Sequence, residues 1–300
     1  MAIGIDQTLN APRILLTGAT SQIGVFIIPR LVKAGFQVLA VSRNGKPSQW
    51  PVYAQVQWLN VSEAIETAMD CQYLLSAGPM ELTQRLLSAG KRFKSAVVFS
   101  SSSVVSKIDS GNQAERDQIE AMLATESALL QMASKRGFKL TLLKPTLIYG
   151  CGLDTNISRL AGWIRRFGFM PVNGRASGLR QPVHADDLAS VAVRALLFEK
   201  ELPPELFLAG GETISYSDML KGIFKALDKK PRLVHLPQWL FILIISLVRA
   251  VKKGQGLNSE MVRRQQVDLV FDDQPARDLL DYDPRPYSPD ESDFSMPELS

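Results

Sequence analysis

The sequence predicts an α/β fold, a doubly wound parallel sheet with a smaller second lobe, and three observations predict it. Short apolar runs alternate with helical patterns through the first half of the chain, the arrangement from which parallel sheets are built. The first of those runs empties into a glycine-bearing turn ahead of a helix, "RILLTGATSQIG", Arg13 to Gly24. Three hundred residues, 46% of them hydrophobic and 21% charged, are enough to bury a large core.

Each element follows from its own pattern. "RILLTG" is a buried first strand, and residues 22–34 carry the apolar spacing of the helix after it. "FQVLAVSRNG" is the second strand, "VQWLN" the third, "CQYLLSAG" the fourth and "SAVVFSSSS" the fifth. "FKLTLLKPTLIYG" reads as a single sixth strand. After residue 150 the strand signals thin out: "ISRLAGWIRRFGFM" and "LASVAVRALLFEK" have helical spacing, and "PPELFLAGG" is the last strand. The polar, proline-bearing and acidic segment 286–300 is expected to be a mobile tail.

Composition narrows the function. The net charge is +4 and no Lys/Arg run exceeds two residues, so there is no basic stripe for nucleic acid. The two cysteines, Cys71 and Cys151, lack the spacing of a zinc site and fit a reducing, cytoplasmic setting without disulfides or a metal. The opening "MAIGIDQTLNA" contains Asp6 and no long apolar run, so it does not read as a secretory signal. The most apolar stretch, "PQWLFILIISLVRAVKK", has a core from Trp239 to Val248, short of the ~20 residues that span a bilayer. Two readings stand. It is a buried helix of the second lobe, or a peripheral membrane contact over 239–253 with Trp239 as anchor and Arg249, Lys252 and Lys253 toward headgroups.

The glycine turn carries chemistry. A strand delivering the chain to a helix N-terminus leaves free backbone N–H groups and a positive dipole end, which suit a pyrophosphate when no side chain obstructs them. Gly18 and Gly24 hold the outer positions of Gly-x-x-Gly-x-x-Gly spacing, and Ser21 replaces the middle glycine. Beyond the second strand, an acidic residue would select the ribose 2′-hydroxyl of NAD. No Asp or Glu occurs from Ala40 to Gln49; Arg43 stands there, with Ser42 beside it. An arginine suits a 2′-phosphate, so NADP(H) is expected over NAD(H).

The motifs in order resemble those of an extended short-chain dehydrogenase/reductase of the NAD-dependent epimerase/dehydratase family, over most of the chain. "TGATSQIG" resembles the family's Thr-Gly-x-Thr-Gly-x-x-Gly turn, which implies cofactor contacts at Gly18, Thr20, Ser21, Gln22, Ile23 and Gly24. "LNV" stands where an Asp-Leu or Asp-Val pair meets adenine, implying Asn60 and Val61. "LLSAGP" resembles the His-Leu-Ala-Gly strand end, implying Ser76, Ala77 and Gly78. "VVFSSSSVV" resembles the strand of the catalytic Ser/Thr and makes Ser102 that residue. "LKPTLIYG" is similar to Arg-Pro-x-x-x-Tyr-Gly, with Lys144 for the arginine and a ribose contact or a structural role implied. "RQPVHADDLA" resembles a stretch whose arginine, here Arg180, contacts a nucleotide-sugar, and Asn156 resembles an asparagine near the substrate diphosphate or is a helix N-cap. The resemblance implies a Rossmann-type core over 12–150 plus 180–211 and a substrate lobe over 151–179 plus 212–285. It also leaves room for a homodimer.

One departure is sharp. The family's Tyr-x-x-x-Lys pair is missing: tyrosines stand at 53, 73, 149, 216, 282 and 287, and none has lysine four residues later. Aligning Glu126 with the family's post-lysine glutamate puts Gln118 and Met122 at the pair's positions. Lys107, which follows the strand of Ser102, and Lys144 on the adjacent strand end are the candidate substitutes for the pair; the other reading of Lys107 is a solvated loop residue. His184 is expected to be a satisfied buried histidine, His235 has no assigned role, and Asp186 and Asp187 are expected to cap the following helix. The functional expectation is an NAD(P)-linked oxidoreductase or epimerase acting on a nucleotide-sugar or related carbonyl compound. The alternative is a catalytically reduced NADPH-binding structural or sensing protein.

Overall fold

The computed structural model describes residues 11–43, 45–48, 50–66, 71–90, 93–241, 243 and 259–296. The chain first lays down β1 (Arg13–Thr17), α1 (Gly24–Lys33), β2 (Gln37–Val41), β3 (Val56–Leu59), α2 (Val61–Glu66), β4 (Tyr73–Ser76) and α3 (Met80–Ser88). Then come β5 (Ser95–Phe99), α4 (Ser103–Ser106), α5 (Gln113–Arg136) and β6 (Lys139–Pro145). The second half adds β7 (Ile148–Tyr149), α6 (Ile157–Phe167), β8 (Met170–Asn173), β9 (Leu179–Arg180), β10 (Val183–His184), α7 (Ala185–Leu197) and β11 (Glu205–Leu208). It closes with β12 (Ile214–Ser215), α8 (Tyr216–Ala226), β13 (Leu233–Leu236), α9 (Ser259–Arg264), α10 (Gln274–Leu280) and a 3-10 turn, Glu291–Phe294.

Seven strands form one sheet in the order β11-β6-β5-β4-β1-β2-β3, and every pairing in it is parallel. The order reverses direction between β1 and β4, so the carboxyl ends of these two strands open a crevice, the usual ligand position in such sheets. One face is covered by α1 and α7 around Ile27, Ile28, Leu31, Leu188 and Val191. The other is covered by α3 and α5 around Leu86, Leu87, Leu129 and Ala133. A third apolar cluster joins α6 and α8 through Ile157, Ile164, Leu220, Ile223 and Phe224.

Three expectations need correction. The "FKLTLLKPTLIYG" run is two strands: β6 stays in the sheet, while β7 pairs with β10 in a separate ladder. Pro145 ends the first of them, having no N–H to donate. Residues 274–282, expected in the second lobe, pack on the sheet: Ala276, Leu280 and Tyr282 join the α1/α7 core, and the Tyr282 hydroxyl donates to the Ala209 carbonyl at 2.7 Å. In place of a mobile tail, the chain through Ser295 is seated. Tyr287 and Phe294 are buried in the third cluster, and Asp290 caps the final turn by accepting the Ser292 N–H at 2.8 Å.

Candidate cofactor site

The turn between β1 and α1 is built backbone against backbone. Gly18 has φ +67°, and a Cβ there would lie 2.3 Å from the Gly78 nitrogen; a Cβ at Gly24 would lie 2.2 Å from the Gly18 oxygen. Only glycine fits either position. Ser21 is tolerated because its side chain closes the turn: its N–H donates to the Gly18 carbonyl at 2.9 Å and its hydroxyl accepts the Gly24 N–H at 3.1 Å. The backbone N–H groups of Gln22 and Ile23 have no partner among the described residues. They stand at the amino end of α1, where such donors collect anions. Thr20 is half-buried in the same turn. The Gln22 Oε1 is buried and unpartnered among the described residues, and the Gln22 carbonyl receives the Cys151 thiol at 3.5 Å.

At the end of β2, the Ser42 hydroxyl donates to the Gly45 carbonyl and its N–H donates to the Leu59 carbonyl at 3.1 Å. These bonds fix the loop that projects Arg43, which is exposed and has no ion-pair partner among the described residues. Arg43 lines an open concavity of about 510 Å³ together with Gly45, Trp58, Asn60, Val61 and Glu63. Asn60 and Glu63 cap α2 reciprocally: Asn60 Oδ1 accepts the Glu63 N–H at 2.9 Å, and Glu63 Oε2 accepts the Asn60 N–H at 2.7 Å. The turn, Arg43 and Asn60–Val61 thus lie along the carboxyl ends of β1, β2 and β3.

Elsewhere the side chains have other occupations. Ser76 is fully buried, and its hydroxyl accepts from both Thr17 and Thr83 at 2.8 Å. It ties β4 to β1 and α3 and does not face a ligand; Ala77 and Gly78, half-buried at the strand end, remain at the crevice. Lys144 is buried and ion-paired with Glu126 at 3.1 Å and with the partly exposed Glu205, while Ser100 donates to the other Glu126 oxygen. A buried ammonium requires such compensation, so of the two roles expected for Lys144, the structural one is the one its carboxylate partners support and the ribose contact is not.

The strand end after β5 holds Ser102. It is buried, its N–H donates to the Pro145 carbonyl at 3.0 Å, and its hydroxyl makes no hydrogen bond with a described residue. Lys107 instead turns toward Glu115 at 3.8 Å, a carboxylate that Arg264 grips with two bonds of 2.8 Å. That pairing departs from the expected role beside Ser102. On α5, Gln118 is exposed and Met122 packs against the α3/α5 core, so neither is a proton donor. Tyr149 does not replace them: it stands edge-on between His184 and Tyr287, 5.1 Å from each ring, and burial, then the Asp293 carboxylate, hold its hydroxyl above the tyrosine range.

In the second lobe, the Arg180 guanidinium is buried and donates to the carbonyls of Leu179, Val267 and Arg264, with the Tyr216 ring 5.4 Å away. Burial lowers its pKa. It staples the α9 segment to β9 and is not free for a nucleotide-sugar, contrary to expectation. Asn156 is exposed at the head of α6 and its side chain does not cap; Asp154 does, accepting the N–H groups of Asn156 and Ser158 at 2.9 and 3.0 Å. The cap of α7 is His184, neither of the expected aspartates. His184 Nδ1 accepts the Asp186 N–H at 3.1 Å, which places the neutral ring's proton on Nε2, 3.0 Å from Asp293 Oδ1. Asp186 and Asp187 hold Arg285, and Asp186 also holds Arg30. Asp293 lies in the segment expected to be a mobile tail, and Arg285 at the end of the segment expected in the second lobe. His235 is exposed, its Nδ1 2.7 Å from the Gly174 carbonyl. Trp239 is 68% exposed. The rest of the expected membrane contact, at 242 and 244–253, lies outside the described residues, and no described helix is long and apolar enough to cross a membrane. Among the described residues no group of side chains could hold a metal ion.

No protein-family model matches the chain. A chloroplast divinyl chlorophyllide a 8-vinyl-reductase of Arabidopsis thaliana is 23% identical over 276 residues, 80% of this chain and 63% of the relative. A UDP-glucose 4-epimerase of Vibrio cholerae is 22% identical over 177 residues, 55% of this chain and 53% of the relative. The chain thus spans less than two thirds of the length of these relatives. The crystal structure of a Bacillus cereus UDP-glucuronic acid 4-epimerase, in complex with UDP-glucuronic acid and NAD, superposes with a TM-score of 0.67 at 18% identity, covering 91% of this chain and 94% of that one. The chain therefore shares the fold of that solved structure. Against the motif pattern it resembles in sequence, it keeps Gly18 and Gly24 and the Ser102 position and lacks the Tyr-x-x-x-Lys pair.

The residues present fit a dinucleotide. Among the described residues, the Gln22 and Ile23 N–H groups at the head of α1 and the buried Oε1 of Gln22 have no partner, and the backbone around Gly18 and Gly24 leaves no room for a Cβ.

Proposed function

We propose that this protein binds a nicotinamide dinucleotide, NADP(H) in preference to NAD(H), and acts as an oxidoreductase or epimerase on a nucleotide-sugar or related carbonyl compound. The observation that carries the reading is the β1–α1 turn with its unpartnered Gln22 and Ile23 N–H groups, in line with the exposed Arg43. The turn would take the pyrophosphate, and Arg43 would take the 2′-phosphate through charge-assisted bonds. Asn60, Val61, Ala77 and Gly78 would border the adenosine and the sugar-phosphate backbone. When bound, the cofactor supplies hydride exchange at its nicotinamide ring. Ser102 is the hydroxyl positioned to hold a substrate oxygen, since its own hydroxyl is uncommitted among the described residues.

A second reading, a catalytically reduced NADPH-binding protein, is favoured by one specific set of observations. Gln118 and Met122 occupy the proton-relay positions, Lys107 leans on Glu115, and Arg180 is spent on carbonyls. Titration calorimetry with NADPH and NADH, followed by product assays over nucleotide-sugars and keto-sugars, separates the two. Binding of NADPH with turnover that falls in Ser102→Ala supports the first; binding without product from any compound supports the second. Arg43→Ala is expected to weaken NADPH by about tenfold or more, the worth of a charged hydrogen bond, and to leave NADH unchanged. Equal loss for both dinucleotides would end the 2′-phosphate assignment.

A further inference from the structure

α6 buries Ile157, Ala161 and Ile164, and its exposed side carries two aromatic rings among arginines. Trp163 is 40% exposed and Phe167 46%; beyond the left-handed Gly168 cap, Phe169 is 37% exposed. The three rings form one cluster, with Trp163 and Phe167 centroids 4.3 Å apart and Phe169 6.4 Å from Trp163. The Trp163 indole N–H donates to the Phe169 carbonyl at 3.0 Å, so the cluster is fixed with its polar atom satisfied. Contiguous exposed aromatic surface of this kind marks an interaction site.

Its surroundings are cationic. The Arg166 guanidinium lies 5.3 Å over the Phe167 ring. Residues 229–232 run alongside, because the Arg232 carbonyl accepts the Met170 N–H at 2.9 Å and β13 pairs with β8 from Leu233 and Met170 onward. Residues 157–173 and 229–241 together hold six Lys/Arg and no Asp or Glu. The adjoining acids include Asp154, which accepts the Ser158 N–H at the head of α6, Asp228, and Glu291, the last 3.3 Å from Arg165.

We propose that this face of the second lobe docks on a lipid bilayer surface carrying anionic headgroups, with Trp163, Phe167 and Phe169 inserted at the interface and Arg166, Lys230 and Arg232 on the phosphates. Amphipathic aromatic rings and long cations are the side chains that settle at that boundary, and each cation near an anionic surface adds attraction. A second copy of this chain fits poorly, since an isologous pair would set the same cations against each other. A single-stranded nucleic acid fits poorly too, because the rings pack on one another and leave no slot for a base. The face is built without the 242–258 stretch and is independent of the cofactor assignment.

Vesicle flotation of the full chain tests it, with zwitterionic vesicles and vesicles containing about 30% phosphatidylglycerol. Recovery with the anionic vesicles only, reduced as salt rises from about 0.1 to about 0.5 M, is the expected result. A triple variant, Trp163→Ser, Phe167→Ser and Phe169→Ser, is expected to lower partitioning about tenfold or more, with its unfolding midpoint and NADPH affinity retained. Should that variant not fold, Arg166→Glu with Arg232→Glu is expected to abolish the preference for anionic vesicles. The proposal is overturned if wild-type protein floats with neither vesicle, or if the variants float as well as wild type. It is equally overturned if Trp239→Ser alone removes binding, if the ring variants dissociate a dimer, or if the face retains a single-stranded oligonucleotide in place of vesicles.

Discussion

Gln22 concentrates the question of the cofactor in one side chain. A buried amide oxygen without a donor costs about 1–3 kcal/mol, and this one sits in the turn whose Gln22 and Ile23 N–H groups also have no partner among the described residues. A dinucleotide bound there would satisfy it; an apolar side chain of similar size would remove the need. Gln22→Leu is therefore expected to raise the stability of the ligand-free protein by about 1 kcal/mol and to weaken NADPH binding at the same time. Urea unfolding and calorimetry read the two effects separately, and a variant less stable without ligand would contradict the assignment. Arg180 teaches the opposite lesson about single residues. Its motif fits a nucleotide-sugar contact, but its guanidinium meets carbonyls at 264 and 267, more than 80 positions away. No local pattern encodes that encounter.

Among the elements, the sheet was legible and the second lobe was not. The central parallel strands are covered on both sides, so they read as continuous apolar runs such as "RILLT" or "QVLAV". The ladders β9–β12 and β7–β10 have two residues per strand, too short to impose a period. The acidic composition of 286–300 concealed Tyr287 and Phe294, the two side chains that seat it. The glycine turn was legible because backbone contact at Gly18 and Gly24 forbids other residues, whereas the fates of Ser76, Lys144 and Lys107 depend on partners in other elements. Lys144 shows how β6, α5 and β11 are joined. With Glu126 and Ser100 it forms a buried polar knot between sheet and helix. Lys144→Met leaves Glu126 buried opposite no cation and is expected to cost about 3–5 kcal/mol. Adding Glu126→Leu is expected to restore most of that loss, since the penalty lies in the orphaned charge. Urea midpoints for the two single variants and the double variant form the cycle; additive losses would show that the pair is not coupled.

Over the whole molecule, the buried acids make alkaline pH the weak side of stability. Burial pushes the Cys151 thiol from 9.0 up to about 11 and the Tyr216 hydroxyl from 10.0 up to about 12. Burial raises Tyr149, Tyr282 and Tyr287 as well. Four of the five stand in or beside the second lobe, and Tyr282 stands under the sheet. Such a group keeps its proton in the native state at a pH where the unfolded chain has released it. The native state then binds more protons, and stability falls as pH rises through the interval between the two values. Each unit of separation is worth about 1.4 kcal/mol. The loss should therefore begin near pH 9 with Cys151 and steepen above 10 as the tyrosines join it. Urea midpoints taken in steps from neutral pH to about 10.5 measure this. Cys151→Ala should flatten the first part of the fall, between about 9 and 10, and leave the steeper tyrosine part intact. A curve that stays level to about pH 10.5 would mean that water reaches these groups in the folded protein, and that the second lobe opens far more readily than its packing implies.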